Sequence, residues 1–552
     1  MFLASLVIQL LGVVGSIFLY KHIHGASGAA LIGTAQLFLL IASSVNGIGT
    51  LRIGTAYTYF LARGQSAAES TSIYLVLRVM MVSVAGALLF FTLPGFLGKG
   101  DLVWLGVFLT LPVFWSFSTV RNQMYVGLGD ALNGQLPLLV ESITRLPVLI
   151  FIAYRMPTVE GITLAYAIGA ASSAVFSLPA VLPRLGKVRW SEGARMFRFA
   201  LPLMGSLVLS YLVRNMVPLL VRGALGSSEF SYFLAANAWA ILVLSFPLAV
   251  TTPLFPYLAG LHRKQEFQSV RRVTWQSLRY TAMLLVPGVV ALVTYRYPFL
   301  NVFTNHTYAS EAALPLAILV VAAIPLALSN IIQTSINAIG RQKLELYLTA
   351  TQVLVLIVAT YLFLPPWGPL RGLWSTGVVA ASVAVLLSSA AALALNTYYM
   401  ERLIRVHVDP ASIARITVSA AGAFGSFSLI NRLHISFLDR TDVFPPSSGL
   451  QLFVAVLIGF AVYFLLLALI GELAKDDVET IGRSLNLPKW LVRPFQRICW
   501  RSTFPGLAPV DISRAPGLRP TELLETFSGT TELPELGQVS SPPENGPGRP
   551  GR

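Results

Sequence analysis

The chain has 552 residues, 55% of them hydrophobic and only 11% charged, with a formal net charge of +15. Soluble domains average about 25% charged residues, so a soluble enzyme or a nucleic-acid-binding domain is excluded for most of this length, and a protein crossing a membrane many times is what the composition describes. The one cysteine, Cys499, leaves no internal disulfide, and the six histidines fall in predicted loops without metal-ligand spacing, so neither a metal nor another cofactor is expected.

Apolar runs of spanning length, separated by short polar or Gly/Pro-marked breaks, predict helices over 1–20, 28–50, 72–96, 102–120, 134–153, 160–183 and 199–221. They continue over 231–257, 278–299, 312–337, 345–365, 369–396, 410–431 and 449–471. The first run carries no basic region ahead of Phe2 and no small-residue cleavage pattern, so it is expected to be retained rather than removed as a signal peptide. The expected fold class is all-α: a polytopic membrane protein of about 14 transmembrane helices, in two six-helix lobes plus a two-helix C-terminal extension.

The lobes are expected at 1–185 and 199–398, joined by a basic cytoplasmic connector, 186–198, and followed by helices 13 and 14 within 410–471. Weak internal similarity supports two halves: GASGAALIGTAQLFLLIASS from Gly25 returns loosely as GALGSSEFSYFLAANAWAIL from Gly223, and AASSAV at Ala170 as AASVAV at Ala380. In 472–504, the run NLPKWLVRPFQRICW alternates aromatic and aliphatic with basic residues, as an interfacial segment does. The stretch 505–552 is rich in Pro, Gly, Ser and Thr, has no hydrophobic period, and is expected to be disordered.

From Glu472 onward ten basic and ten acidic residues balance, so the whole excess of positive charge belongs to the membrane part. With the first helix starting on the cytoplasmic side, loops on that side hold 18 Lys and Arg against 8 outside, which places both termini in the cytoplasm of a plasma-membrane protein.

Charged residues inside the apolar runs carry the functional information. An ionised side chain at the bilayer centre costs from about 3 to more than about 10 kcal/mol, so it normally faces a partner or a watery cavity. Arg78, Glu141, Arg145 and Arg214, the last followed by Asn215, lie within predicted helices, and Arg52 and Arg121 lie at helix ends. Two readings stand for each. Arg52, Arg121 and Arg78 either snorkel to the cytoplasmic interface or face a cavity. Glu141 and Arg145, four apart on one helix, either neutralise each other or split into a coupling site for an ion or proton and a ligand for an anion. Arg214 lies roughly 10 Å along its helix from the nearer end and favours the cavity. Surplus guanidinium suits phosphate or pyrophosphate, whose oxygens it binds bidentately. Gln36 and Asn46 add polar groups that either bind a sugar or tie one helix to another.

The segment FRFALPLMGSLVLSYLVRNMVPLLVRGALGSSEFSYFLAANAWAILVLSFPLAVTTPLFPYLAGL, Phe197 to Leu261, resembles the seventh and eighth helices of polysaccharide-biosynthesis flippases of the multidrug/oligosaccharidyl-lipid/polysaccharide exporter superfamily. Leu201-Pro202, Leu225-Gly226, the alanine-rich run Ala235 to Ala240 and Pro256 fill the family's places. The resemblance covers about residues 1 to 480.

It implies a transporter without catalytic residues. Such a protein moves a polyprenyl-(pyro)phosphate-linked sugar from the cytoplasmic to the outer leaflet by alternating access, with membrane lipid as its surroundings and a glycan polymerase or glycosyltransferase as a partner. Arg145, Arg214, Arg78, Arg52 and Asn215 would line the cationic cavity. Where many relatives carry an acidic residue in helix 7, this chain has Val217, Pro218 and Leu219. Three rival functions remain: a multidrug exporter of the same superfamily, a membrane glycosyltransferase or polymerase, and a lipid II flippase for cell-wall synthesis, which differs only in cargo.

Overall fold

The computed structural model of the chain describes residues 2–48, 53–62, 67–92, 101–364, 377–432 and 449–478, without 24, 129, 407, 408 and 476, and Cys499. Arg52, the interfacial run 486–500 apart from Cys499, and the tail 505–552 lie outside the described residues.

Sixteen α-helices follow in order. They are α1 (Phe2–His22), α2 (Gly25–Ile48), α3 (Ile53–Ala62), α4 (Ala67–Thr92), α5 (Asp101–Gly127), α6 (Ala131–Arg155), α7 (Val159–Val181) and α8 (Trp190–Leu225). Then come α9 (Ser227–Arg263), α10 (Phe267–Thr294), α11 (Arg296–Phe303), α12 (His306–Ala338), α13 (Gln342–Phe363), α14 (Val378–Leu403), α15 (Pro410–Arg432) and α16 (Gly449–Leu469). Apart from the short α3 and α11, each meets one of the fourteen apolar runs, because a backbone in hydrocarbon must satisfy its hydrogen bonds within the segment. Among the described residues, nine helices are long and apolar enough by themselves to cross a membrane.

Local chemistry sets several starts. The side chains of Asp130, Thr158 and Asn305 accept the amides of Asn133, Gly161 and Tyr308 and cap α6, α7 and α12. Gly226, at φ 99°, makes the turn that ends α8 and begins α9, a conformation L side chains rarely adopt.

Two helices, α8 and α10, begin well ahead of their apolar stretches, α10 at Phe267 rather than near 278. α8 begins at Trp190 rather than near 199, so much of the expected connector is helical. Its first turns are held by packing: a Cβ on Gly193 would lie 2.8 Å from the Ile73 side chain, and Met196 and Ala200 share a core with Tyr57, Tyr74 and Met124. Just ahead of it, the Ser72 hydroxyl bonds both the amide and the carbonyl of Gly186.

The helices pack in two groups. In the first, α5 lies against α2, α4, α6 and α7, while α1 covers α6. In the second, α12 is the centre, flanked by α9, α10 and α14, with α13 on α14. The extension, α15 and α16, packs on itself and on α10 of the second group. The groups meet where α2 touches α8 and α9 and α3 touches α8. Because successive long helices alternate in direction, the bundle has a near end, where α1 begins and α2 ends, and a far end, which holds the α8–α9 turn and the start of α12.

Candidate substrate passage between the helix groups

The face that α8 turns toward the first group is set by Tyr211. Its hydroxyl lies over Gly47 of α2, so close that a Cβ there would be 1.4 Å from the oxygen. Arg214 and Asn215 follow three and four residues later, on the same side of the helix. Of the exposed apolar residues of α8, Trp190, Phe197, Leu201, Val208, Leu212 and Leu219 form a separate stripe, with Leu220 about 100° to one side of it. At about 100° per residue, Arg214 points roughly 160° away from Leu212 and roughly 140° from Leu219. Arg214 is exposed and, among the described residues, neither it nor Asn215 has a hydrogen-bond or ion-pair partner. A guanidinium that turns from the apolar stripe toward the seam between two helix groups, and stays free, is available to an anion entering that seam.

Arg78 does not share that space. It is 1% exposed, deep among α2, α4 and α5, and donates through Nη2 to Asn46 Oδ1 and, at 3.2 Å, to Thr119 Oγ1. Its Nε and Nη1 have no acceptor, and no carboxylate pairs with it among the described residues. Neither reading drawn from the sequence describes it: it neither snorkels nor lines an open space. Arg121 also turns inward, donating to the Phe176 carbonyl at 2.7 Å with its guanidinium 4.3 Å from the Phe176 ring. Asn46 and Gln36, which donates to the Tyr20 hydroxyl, tie helices together.

Glu141 and Arg145 are brought together on α6, Nη1 to Oε1 3.4 Å, with 8% and 16% of their side chains exposed. Arg145 also sits 4.7 Å over the Tyr166 ring, and the Trp115 indole is a hydrogen-bonding neighbour of Glu141. Gly169 makes the assembly possible, since a Cβ there would meet Arg145 Cβ at 3.0 Å and the Glu141 carbonyl at 3.2 Å. Arg145 is thus partly neutralised, and among the described residues no contact joins it to Arg214.

Arg222, assigned from the sequence to an outer loop, lies in the last turn of α8, eight residues beyond Arg214 and within about 20° of Tyr211 around the helix. Its Nε is buried without a partner. Helical phase relative to Tyr211 was the signal available for it.

At the far end the two groups are closed against each other. A Cβ on Gly33 of α2 would strike the Ser227 carbonyl at 2.0 Å, and the Thr34 hydroxyl reaches Ser227 Oγ at 3.4 Å. The Tyr20 ring of α1 lies tilted against that of Tyr308 of α12, centroids 4.8 Å apart; Tyr308 meets Tyr232 edge to face at 5.1 Å and hydrogen-bonds Ser231. The near end is joined as well, through Tyr211 on Gly47, the packing of α3 and α4 on the start of α8, and the core that Met196 and Ala200 share with Tyr57, Tyr74 and Met124.

A second charged assembly, invisible in the sequence, fastens the extension. Arg279 of α10, at the start of the predicted run 278–299, is 2% exposed and pairs with Glu472 and Asp477, each at 2.8 Å. Glu472, wholly buried, also takes Arg415 at 2.9 Å and the Ser412 hydroxyl, while Tyr280 donates to Asp477. Two arginines and two carboxylates balance. Among the described residues no three His, Cys, Asp or Glu gather as metal ligands do.

Residues 135–313 match a family described as polysaccharide biosynthesis protein. A probable low-salt glycan biosynthesis flippase, Agl15, of Haloferax volcanii is 22% identical over 232 residues, 41% of this chain and 44% of that protein, so the match spans less than half of that relative. Among solved structures, the lipid II flippase MurJ in an inward closed conformation superposes with a TM-score of 0.68 at 13% identity, over 88% of this chain and 99% of its own. An inward-facing multidrug resistance MATE transporter of the MOP superfamily gives 0.57 at 15% identity, over 72% and 94%.

Proposed function

We propose that this chain is a member of the multidrug/oligosaccharidyl-lipid/polysaccharide exporter superfamily, a reading supported by its fold and by the match over residues 135–313, and that it is a flippase for a lipid-(pyro)phosphate-linked oligosaccharide. It carries its cargo from the cytoplasmic to the outer leaflet by alternating access of two lobes, with the near end and both termini in the cytoplasm. The lobes are 1–185 and 199–398, with helices 13 and 14 riding on the second. It makes and breaks no bonds of its substrate.

The observation that carries this reading is Arg214: exposed, without a partner among the described residues, and, by its helical phase relative to Tyr211, on the side of α8 that meets the first helix group. A guanidinium held there binds phosphate oxygens through two parallel N–H donors, and Asn215 beside it offers neutral donors and an acceptor to a sugar. The polyprenyl chain stays in hydrocarbon while the polar head passes between the lobes. Arg145, with Glu141 against it, is a weaker ligand for an anion, and Glu141 is the candidate for ion or proton coupling. Arg78 props the wall of the passage rather than touching cargo.

The coverage of the two structural matches favours a flippase over a multidrug exporter. The flippase superposes on 88% of the chain and the multidrug transporter on 72%.

The test is export of the surface glycan by cells carrying Arg214→Ala and Arg214→Lys. Alanine is expected to abolish export at normal expression, and lysine, which keeps the charge but loses the bidentate geometry, to leave a part of it. Normal export by the alanine variant would remove the proposal.

A further inference from the structure

Asn305 stands where the two helix groups meet at the far end, and both halves of its amide are in use. Its Oδ1 accepts the Tyr308 amide at 3.2 Å and caps the N-terminus of α12. Its Nδ2 donates to the Tyr20 carbonyl at 2.7 Å and to the Ile23 carbonyl at 3.3 Å. Those carbonyls lie at and just past the end of α1, where a helix's last carbonyls lack partners of their own. One side chain therefore caps two helices of opposite dipole direction, one from each lobe.

We propose that Asn305 is the latch of the far gate, a positioning residue that holds the passage closed at this end by bridging α1 to α12. The chemistry is selective. A carboxylate at 305 could still cap α12 but would offer no donor to α1, and it would face the α1 carbonyls with like partial charge. A hydroxyl is too short to serve both ends. Around the latch, the Tyr308 ring contacts those of Tyr20 and Tyr232 and Ser231 bonds Tyr308, so rotation of α12 away from α1 breaks ring contacts and the Asn305 bonds together. When the lobes separate here, water takes over the α1 carbonyls, so the latch biases the equilibrium without forbidding opening.

The latch also bears on Asn305-His306-Thr307, which has the form of an N-glycosylation sequon. The nitrogen a glycan would occupy is the one that holds α1. While this gate is closed, Asn305 is a structural amide and not an acceptor.

The inference rests on the two-lobe alternating-access reading, and its test reads access at the gate without any substrate. Cys499, the one native cysteine, is replaced by serine, and a reporter is introduced as Ser227→Cys, half-buried at the seam against Gly33. Its labelling by a membrane-impermeant maleimide is followed in liposomes. Asn305→Asp, which keeps the cap on α12 and loses the donor to α1, is expected to raise the labelling rate roughly tenfold, and Asn305→Ala similarly. Thr307→Ala, which destroys the sequon and leaves Asn305 intact, is expected to label as the parent. Parental labelling of Asn305→Asp would show that the α12 cap is all that matters and would overturn the latch, as would faster labelling of Thr307→Ala. Because Asn305→Asp retains the cap, it keeps the proposal testable if Asn305→Ala fails to fold. Normal glycan export by Arg214→Ala, which would remove the transport reading, leaves these rates untouched, so the two proposals fall separately.

Discussion

Tyr211 of α8 lays its hydroxyl against Gly47 of α2, in space that a single Cβ on residue 47 would occupy. This contact joins the two helix groups near the end where α2 finishes, and it decides which way Arg214 faces. Gly47→Ala must displace the tyrosine, and overpacking of this kind costs about 1–3 kcal/mol. The expected result is a lower Tm and reduced export. Adding Tyr211→Ala in the same molecule should recover much of the Tm, and a double-mutant cycle measures the coupling. Additive losses would mean that the two residues do not touch in the protein as it works.

The Glu141–Arg145 pair separates a ligand role from a structural one. Removing one member of a buried pair typically costs about 3–5 kcal/mol, because the other charge is left uncompensated. Arg145→Ala is therefore expected to lower thermal stability and expression as well as export. Glu141→Gln in the same chain should restore stability. If export returns with it, the pair is structural; if stability returns and export does not, Arg145 serves the substrate or its coupling.

Arg78 raises a different question. A guanidinium that is 1% exposed, with no carboxylate partner and two donors without acceptors, is an expensive way to fill a bundle, and replacing such a charge by an apolar side chain of similar volume is often neutral or stabilising. Arg78→Met is expected to hold or raise Tm while lowering export, on the view that the charge acts through Asn46, next to the Gly47 contact. Unchanged export together with a higher Tm would leave Arg78 without a role in transport.

Cys499 reports on the charged clasp of the extension. Its side chain is 1% exposed in the core formed by α10, α15 and α16, and burial, helped by the Asp477 carboxylate, pushes its thiol above the ordinary range. The folded state therefore favours the neutral thiol. The stability this lends is complete below the usual thiol pKa of about 8.5 and is lost as pH rises through the higher folded value. Alkylation at neutral pH is expected to be slow. Glu472→Ala, which takes a carboxylate from both Arg279 and Arg415, should loosen the segment and raise the alkylation rate well above the parent's. An unchanged rate would show that apolar packing alone holds the extension.

Much of the architecture was legible before any coordinates. A backbone crossing hydrocarbon has to be helical and about 20 residues long, so each of the fourteen runs found its helix, and Gly226 marked the α8–α9 turn because it must adopt a positive φ. Where helices ran on, as α8 does back to Trp190, packing against Ile73 and Leu77 compensates for residues whose own hydropathy gives no sign of a helix.

What each charge does was settled by neighbours far away in the chain. Arg279 and Glu472 are 193 residues apart and form one pair, although the first opens the predicted run 278–299 and the second begins the charge-balanced tail. Arg78, Arg145 and Arg214 look alike as lone cations in apolar runs, yet one is walled in, one is paired and one is free. The chain by itself determined that these cations would have to find either a partner or water, because the bilayer tolerates neither lone charge nor open backbone. Which of the two each one found was decided by the packing of α2, α4, α6 and α8, since the distance to a counter-charge is a property of the assembled helices and not of any one of them.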